Sequence, residues 1–262
     1  MLINNFLTSR KSDRNFKNKS VKKETVDRLK QVFNLAKNDV VNFEFFENGK
    51  AVLDILKGYA GYNGVMISAP AYIAVSFDDK CPKNKVTAMY KAEEVLSLLT
   101  SEDLGSCWIG LFDTPDDVKI KAFGHKDVSL ILAVGYPKPS NPFVKEEMSE
   151  RLPVEKIVFK DNFDTNIEYD ELEKLGLDAV FYYVRFAPST LNSQPWRFVL
   201  KGNKVELYLK EINGKLYYED MGIILYYLEQ MYNMSSNREL DWSLEDEFKL
   251  ENGMVKIATI NL

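Results

Sequence analysis

Ala187-Pro188-Ser189-Thr190-Leu191-Asn192-Ser193-Gln194-Pro195-Trp196-Arg197-Phe198 is the stretch on which the reading of this chain turns. It follows a long amphipathic segment and leads into a β-rich one. Pro188 and Pro195 remove backbone donors, while Ser189, Thr190, Asn192 and Gln194 offer hydroxyl and amide groups that can face a ligand. A plain helix-to-strand connection needs none of these. A second dense run, Arg10-Lys11-Ser12-Asp13-Arg14-Asn15-Phe16, lies near the N-terminus. In an extended segment alternate residues point to the same side, so Arg10, Ser12 and Arg14 can address one ligand together. Cations with a hydroxyl suit a phosphate group.

The bulk numbers narrow the class. At 262 residues, 45% hydrophobic and 28% charged, the chain can form one large domain or two small ones with an ordinary globular core. A net charge of −5 disfavours a general nucleic-acid binder, and the lysines between 17 and 23 read as a solvated helix entry. The longest apolar runs, such as 128–134, fall far short of a membrane span, and the N-terminus carries no secretory signal pattern. Neither nucleic acid nor membrane is therefore an expected partner. Cys81 and Cys107 have no metal-ligand spacing, so neither a zinc site nor a disulfide framework is expected and a reducing, cytoplasmic setting fits. With one histidine, His125, placed after a helix end, and no G-x-S-x-G, a Ser-His-Asp hydrolase has little to stand on.

Hydrophobic spacing predicts helices over 24–36, 51–57, 85–100, 115–123, 169–186 and 220–234. Strands are predicted over 40–46, 65–68, 72–77, 128–135 and 154–159, in two runs around the Lys201-Gly202-Asn203 turn, and in two C-terminal strands hinged at Glu251-Asn252-Gly253. The segment 138–150, rich in proline, charge and small polar residues, reads as a linker. It joins halves of about 1–140 and 151–262 that repeat one order of elements within a single unit. The expected class is α+β with mixed sheets and helices.

Both dense runs resemble motifs of one family. The first is similar to the A-P-S-x-x-N-x-Q-P-W-x-F signature of the FMN-dependent nitroreductases. The second resembles that family's opening R-[R/K/H]-S-x-R-x-F. Ile109-Gly110-Leu111-Phe112-Asp113 resembles the stretch whose backbone approaches flavin O4 and N5, and Arg151-Leu152-Pro153 the end of a K-x-R-L-P phosphate motif. Ser149 stands where that last motif has lysine. The resemblance implies a nitroreductase-like fold and noncovalent FMN, with Arg10 and Ser12 on its phosphate and ribityl chain, Lys11 nearby and Arg14 at the pyrimidine edge. It further implies that Gly110 and Leu111 meet the ring through their backbone and that Arg151 belongs to the phosphate clamp. Pro188, Ser189, Thr190 and Asn192, in the run ending at Gln194, would close the site. Trp108 and Phe112 read as core aromatics, and Asn63 as a turn former.

Ordinary members carry both major motifs near the N-terminus and build two sites across a homodimer. Here the motifs lie about 170 residues apart. The chain therefore resembles the fused subfamily, in which two halves act as a pseudo-dimer with about one FMN per chain, as a monomer or weak homodimer. The resemblance implies NAD(P)H as electron donor and ping-pong reduction of nitroaromatics, quinones or similar small electrophiles. No side chain is required as general acid or base, so no catalytic residue is assigned. The alternatives are another flavin reaction on the same fold (flavin reduction, dehalogenation or flavin fragmentation), FMN storage without turnover, or a structural protein with a degenerate site.

Overall fold

The computed structural model describes residue 7 and residues 10–61, 65–139 and 150–262. They form two compact units, one containing 10–139 and the other 150–262. Most of the linker expected at 138–150, including Ser149, lies outside the described residues, as does Asn63.

In the first unit the order is α1 (Lys23–Ala36), β1 (Asn42–Phe46), α2 (Gly49–Leu56), β2 (Ala71–Ser76), α3 (Pro82–Ser101), β3 (Gly105–Gly110), α4 (Asp116–Phe123) and β4 (Val128–Gly135). The four strands form an antiparallel sheet in the order β1-β2-β4-β3. Apart from Ser76 and Ser129 both inner strands lack hydrophilic side chains, and they are buried on both faces, which is why they read as continuous rather than alternating runs. Tyr72, Ala74, Ile131 and Ala133 point to one face, where Val52 and Leu56 of α2 and Val118 and Phe123 of α4 cover them. Successive side chains alternate, so Ile73, Val75, Leu130 and Leu132 face the other way. α1 and α3 pack against each other, α1 against β1 and α3 against β3. Phe43 of β1 stacks on Phe33 of α1 at 5.6 Å, while Phe46 meets Phe123 of α4 edge-on at 5.2 Å.

The second unit holds a six-stranded mixed sheet. Its strands are β5 (Val158–Lys160), β6 (Trp196–Lys201), β7 (Lys204–Lys210), β8 (Asp241–Leu244), β9 (Leu250–Glu251) and β10 (Met254–Asn261). The main order is β5-β6-β7-β10-β8, with β9 also on β10, and only the β5–β6 pair is parallel. Three helices complete the unit: α5 (Tyr169–Lys174), α6 (Asp178–Val184) and α7 (Tyr218–Ser236). Phe181 of α6 packs on Phe198 of β6 at 5.1 Å, and Trp196 and Phe198 are fully buried.

Four expectations need correcting. Residues 65–68 are not a strand, because β1 and β4 already occupy both edges of β2, and the Ile67 carbonyl instead accepts the Tyr72 hydroxyl. The strand expected over 154–159 is a 3-10 turn (Val154–Lys156) behind Pro153, followed by the short β5. The helix expected over 169–186 breaks in two at Gly176, whose φ is 69°. There Leu177 N–H reaches back to the Leu172 carbonyl at 2.9 Å, the six-to-one bond of a Schellman end, which requires a left-handed residue before it. Last, β8 was not foreseen; its Asp-Trp-Ser-Leu run is too short to stand out, and pairing with β10 makes it a strand.

Gly49 begins α2 at a point where a Cβ would run into the Ala69 carbonyl oxygen and the Pro70 backbone. Gly49→Ala is expected to destabilise the first unit by about 1–3 kcal/mol through overpacking. Urea melts should show a lower midpoint at an unchanged slope. Gly202→Ala, in open space at the β6–β7 turn, should cost less, on the order of the 1–2 kcal/mol of a left-handed alanine or below it.

Candidate functional site

The arm from Arg10 to Phe16 is extended and sewn to the end of the first sheet. Ser12 bridges to Ser106 of β3, and Asp13 N–H donates to the Ser106 carbonyl at 2.9 Å. Phe16 bridges to Pro137, enters the apolar cluster, and is flanked by bonds from Lys17 N–H to the Tyr136 carbonyl and from Lys138 N–H to the Asn15 carbonyl. Gly105 allows this closeness, since a Cβ there would strike the Asp13 side chain. Cys107 of β3 lies beside the arm. Burial pushes its thiol up, while the Arg14 charge, a hydrogen bond with Ser12 and the Arg10 charge act in the opposite sense and the Asp13 charge adds to the rise.

Exposure separates these residues. Lys11, Ser12 and Arg14 are exposed, whereas the Arg10 side chain is only 4% exposed and faces Glu93 of α3, with Nη2 3.9 Å from Oε1. Arg10 Nε has no hydrogen-bond partner among the described residues. Gly110, the last residue of β3, is exposed. Leu111 is fully buried, and its N–H donates to the Ser129 carbonyl at 3.0 Å, so that donor is used inside the unit. Phe112 is 47% exposed and does not belong to the core as expected.

In the second unit the 187–198 run is a cross-braced loop. A 3-10 turn spans Thr190–Asn192, and Leu191, Asn192 and Gln194 all take positive φ, 53°, 56° and 46°. Three such non-glycine residues within four positions mark a conformation that the surroundings must impose. Hydrogen bonds do so. Gln194 N–H donates to Ser189 Oγ at 2.9 Å, and Gln194 Oε1 accepts from Leu152 N–H at 2.8 Å. The Glu150 carbonyl accepts from Asn192 Nδ2 at 2.9 Å and from Gln194 Nε2 at 3.2 Å. Arg151 donates through Nη1 to Asn192 Oδ1, and burial holds its guanidinium below the ordinary value. The structure thus brings Arg151, Asn192 and Gln194 together, with Ser189 beside them. Their polar groups are largely spent on shaping the loop. Pro188 is half-buried and Leu191 is 82% exposed at the tip.

Asp220 was missed. Its carboxylate, on the first turn of α7, accepts from Thr190 N–H at 2.9 and 3.1 Å and from the Thr190 hydroxyl at 3.0 Å. It is 2% exposed, and burial pushes its pKa up to about 7 against those hydrogen bonds. A first-turn acid normally signals interaction with its own helix's free N–H groups. Nothing local in the sequence says that this one reaches back thirty positions. Arg197, the variable position between Trp196 and Phe198 in the motif, is buried and donates to the carbonyls of Gln194 and Trp196, closing the loop's far end.

Other groups carry less chemistry. His125 lies 2.8 Å from Glu44. Among the described residues no cluster of three or more His, Cys, Asp or Glu side chains could hold a metal ion, and no helix is long and apolar enough to cross a membrane. Cys81 and Cys107 are not disulfide-bonded.

Against known proteins, a family model described as "Putative TM nitroreductase" matches residues 3–232. The crystal structure of a putative nitroreductase from Thermotoga maritima MSB8 is 20% identical and superposes with a TM-score of 0.66, over 100% of this chain and 94% of that one. That likeness extends to the fold, an α+β nitroreductase fold carried on a single chain. A putative NADH oxidase from Clostridium acetobutylicum is 24% identical, with a TM-score of 0.46 over 60% of this chain and 97% of its own. An FMN-dependent nitroreductase from Clostridium difficile R20291 is 20% identical, with a TM-score of 0.43 over 54% and 91%. No curated protein matches.

Asp220 gives the second unit a pH signature. Its pKa is raised on folding from 3.8 to about 7, so the stability it contributes is present below about pH 4 and is lost as pH rises toward 7. Asp220→Asn should remove this share of the decline, narrowing the gap between urea midpoints at pH 5 and pH 8. An undiminished gap would mean that Asp220 is not the titrating group.

Proposed function

Because this chain belongs to the putative TM nitroreductase family, we propose that it is an oxidoreductase holding about one FMN per chain, noncovalently, and reducing small electrophiles such as nitroaromatics or quinones with NAD(P)H. The observation that carries this reading is the 10–16 arm. It carries Arg10, Ser12 and Arg14 at alternate positions of an extended segment beside β3. That donor set fits a flavin mononucleotide, which needs cations and a hydroxyl for its phosphate and a fixed positive charge for the electron-rich edge of its ring. When bound, FMN supplies hydride transfer from NAD(P)H to the acceptor in ping-pong order.

The chain's own part is to bind, orient and tune. Arg10 and Ser12 would hold the phosphate and ribityl chain, with Lys11 adding charge nearby. Arg14 would supply a positive charge to the pyrimidine part of the flavin, favouring the state in which negative charge gathers there. In the second unit, Arg151 and the loop from Pro188 to Gln194 are braced by Asp220 and Arg197, so the groups they would bring to a ligand are preformed rather than flexible. Preorganisation of this kind lowers the ordering cost of binding. Solvent can deliver the protons. The protein would act as a monomer or weak homodimer in the cytoplasm, a setting that suits its two unpaired cysteines.

The test is an anaerobic absorbance spectrum of FMN-reconstituted protein before and after NADPH and then NADH. Bleaching, followed by recovery on adding a quinone or nitroaromatic, is the expected result, at a stoichiometry near one FMN per chain. A bound flavin that neither donor bleaches would favour storage, and failure to retain flavin would sink the proposal. Arg14→Ala removes a charged hydrogen-bonding group worth roughly 1.5–3 kcal/mol. FMN should then dissociate about ten- to a hundredfold more readily, as followed by flavin fluorescence.

A further inference from the structure

Glu93 is a buried carboxylate that the reading above leaves without a task. It sits on α3 with 0% exposure, and neither oxygen has a hydrogen-bond partner among the described residues. A carboxylate taken out of water without hydrogen bonds is costly, and proteins rarely keep one that does nothing. Arg10 stands opposite, at a distance that qualifies as an ion pair but is too long for a hydrogen bond. Its own Nε is unpartnered among the described residues. Two buried, opposite charges, each short of donors or acceptors, do not form a finished salt bridge. Their field is coupled while the guanidinium's hydrogen-bonding capacity is left for something else.

We propose that Glu93 is a positioning residue that holds Arg10 for the FMN phosphate and takes up a proton from solvent when the phosphate arrives. This rests on the FMN reading above. A phosphate dianion beside Arg10 draws on the same positive charge that keeps Glu93 ionised and adds negative charge close by. Both effects drive the carboxylate toward its neutral form. Glu93 is already poised for this, since burial pushes its pKa up to about 7 and only the Arg10 charge pulls it back. The neighbouring elements supply few competitors. From β3 comes Cys107, whose thiol is itself raised by burial and also senses Arg10. The arm adds Asp13, against Gly105. On α1 the charged group paired to α3 is Arg28, which is engaged with Glu102 farther along α3.

Linkage fixes the sign: a group that gains a proton on binding makes binding tighter as pH falls. The phosphate's own second ionisation, near pH 6, acts oppositely, because cations favour its dianion and binding would then release protons. The experiment is isothermal titration calorimetry of the full chain with FMN and, separately, with riboflavin, at pH 7.5 in buffers of different ionisation enthalpy. FMN fluorescence titrations at pH 6.5 and 8.5 accompany it. Expected for the wild type are net proton uptake with FMN, none with riboflavin, and FMN binding about tenfold tighter at pH 6.5 than at 8.5. Glu93→Gln should still bind FMN, but with uptake abolished or turned to release and the pH slope correspondingly gone or reversed. Equal proton counts and slopes in wild type and Glu93→Gln would overturn the proposal alone, as would wild-type uptake that is the same for riboflavin. The wild-type comparison of the two flavins decides the matter even if the variant does not fold. Folded wild type that binds no FMN would overturn the cofactor reading and this proposal with it.

Discussion

Burying a carboxylate is tolerable only where donors or a counter-charge meet it, and this chain does it once behind each of its two dense motifs. In the first unit Glu93 faces Arg10 across a gap, with no hydrogen bond among the described residues. In the second, Asp220 is fully engaged by the Thr190 N–H and hydroxyl. The contrast is informative. Asp220 meets donors good enough to hold a strained loop in one conformation. Glu93 meets, among the described residues, the charge of Arg10 and no hydrogen bond, which constrains charge without consuming geometry.

The rest of each unit serves these two placements. The arm can run beside β3 because Gly105 removes the Cβ that would strike Asp13, and because Phe16 anchors its far end in the core. The loop can hold positive φ at Leu191, Asn192 and Gln194 because hydrogen bonds converge on it: Arg151, Leu152 and Arg197 donate, and the Glu150 carbonyl and the Asp220 carboxylate accept. Each bond contributes on the order of 1 kcal/mol net, so jointly they act against strain of about 1–3 kcal/mol per residue. Preformed polar geometry is thus assembled from main-chain carbonyls and amides as much as from side chains.

Much of this was legible before any coordinates, and the parts that were not have a common cause. The central strands, the Lys201-Gly202-Asn203 hairpin and the long helices follow from periodicity and turn chemistry, which are local. The break at Gly176 was also local, but the apolar spacing of 169–186 continued across it and masked the glycine. Residues 65–68 looked like a strand by composition and were denied a sheet edge by the order β1-β2-β4-β3, which is a property of topology. At the candidate site the motif residues could be named from sequence. Their division of labour could not be, because a side chain's availability depends on partners distant along the chain. Asn192 is bound to Arg151, Thr190 to Asp220, and Arg10 is turned toward Glu93. No pattern within a motif reveals such commitments.

The sheet orders carry a consequence for how the polypeptide assembles as it is synthesised. In the first unit the last strand made, β4, lies between β2 and β3. In the second unit β10 is last, and it joins β7 on one side to β8 and β9 on the other. Until that strand emerges, each sheet consists of fragments with unpaired inner edges, the kind of surface that invites association with other chains. Each unit therefore passes through a stretch of translation in which most of its residues exist but its sheet is still open. The second unit stays in that condition until residue 261 has cleared the ribosome. The final strand acts as a latch, and a nascent chain stalled just short of it would be a more natural client for a chaperone than one stalled much earlier.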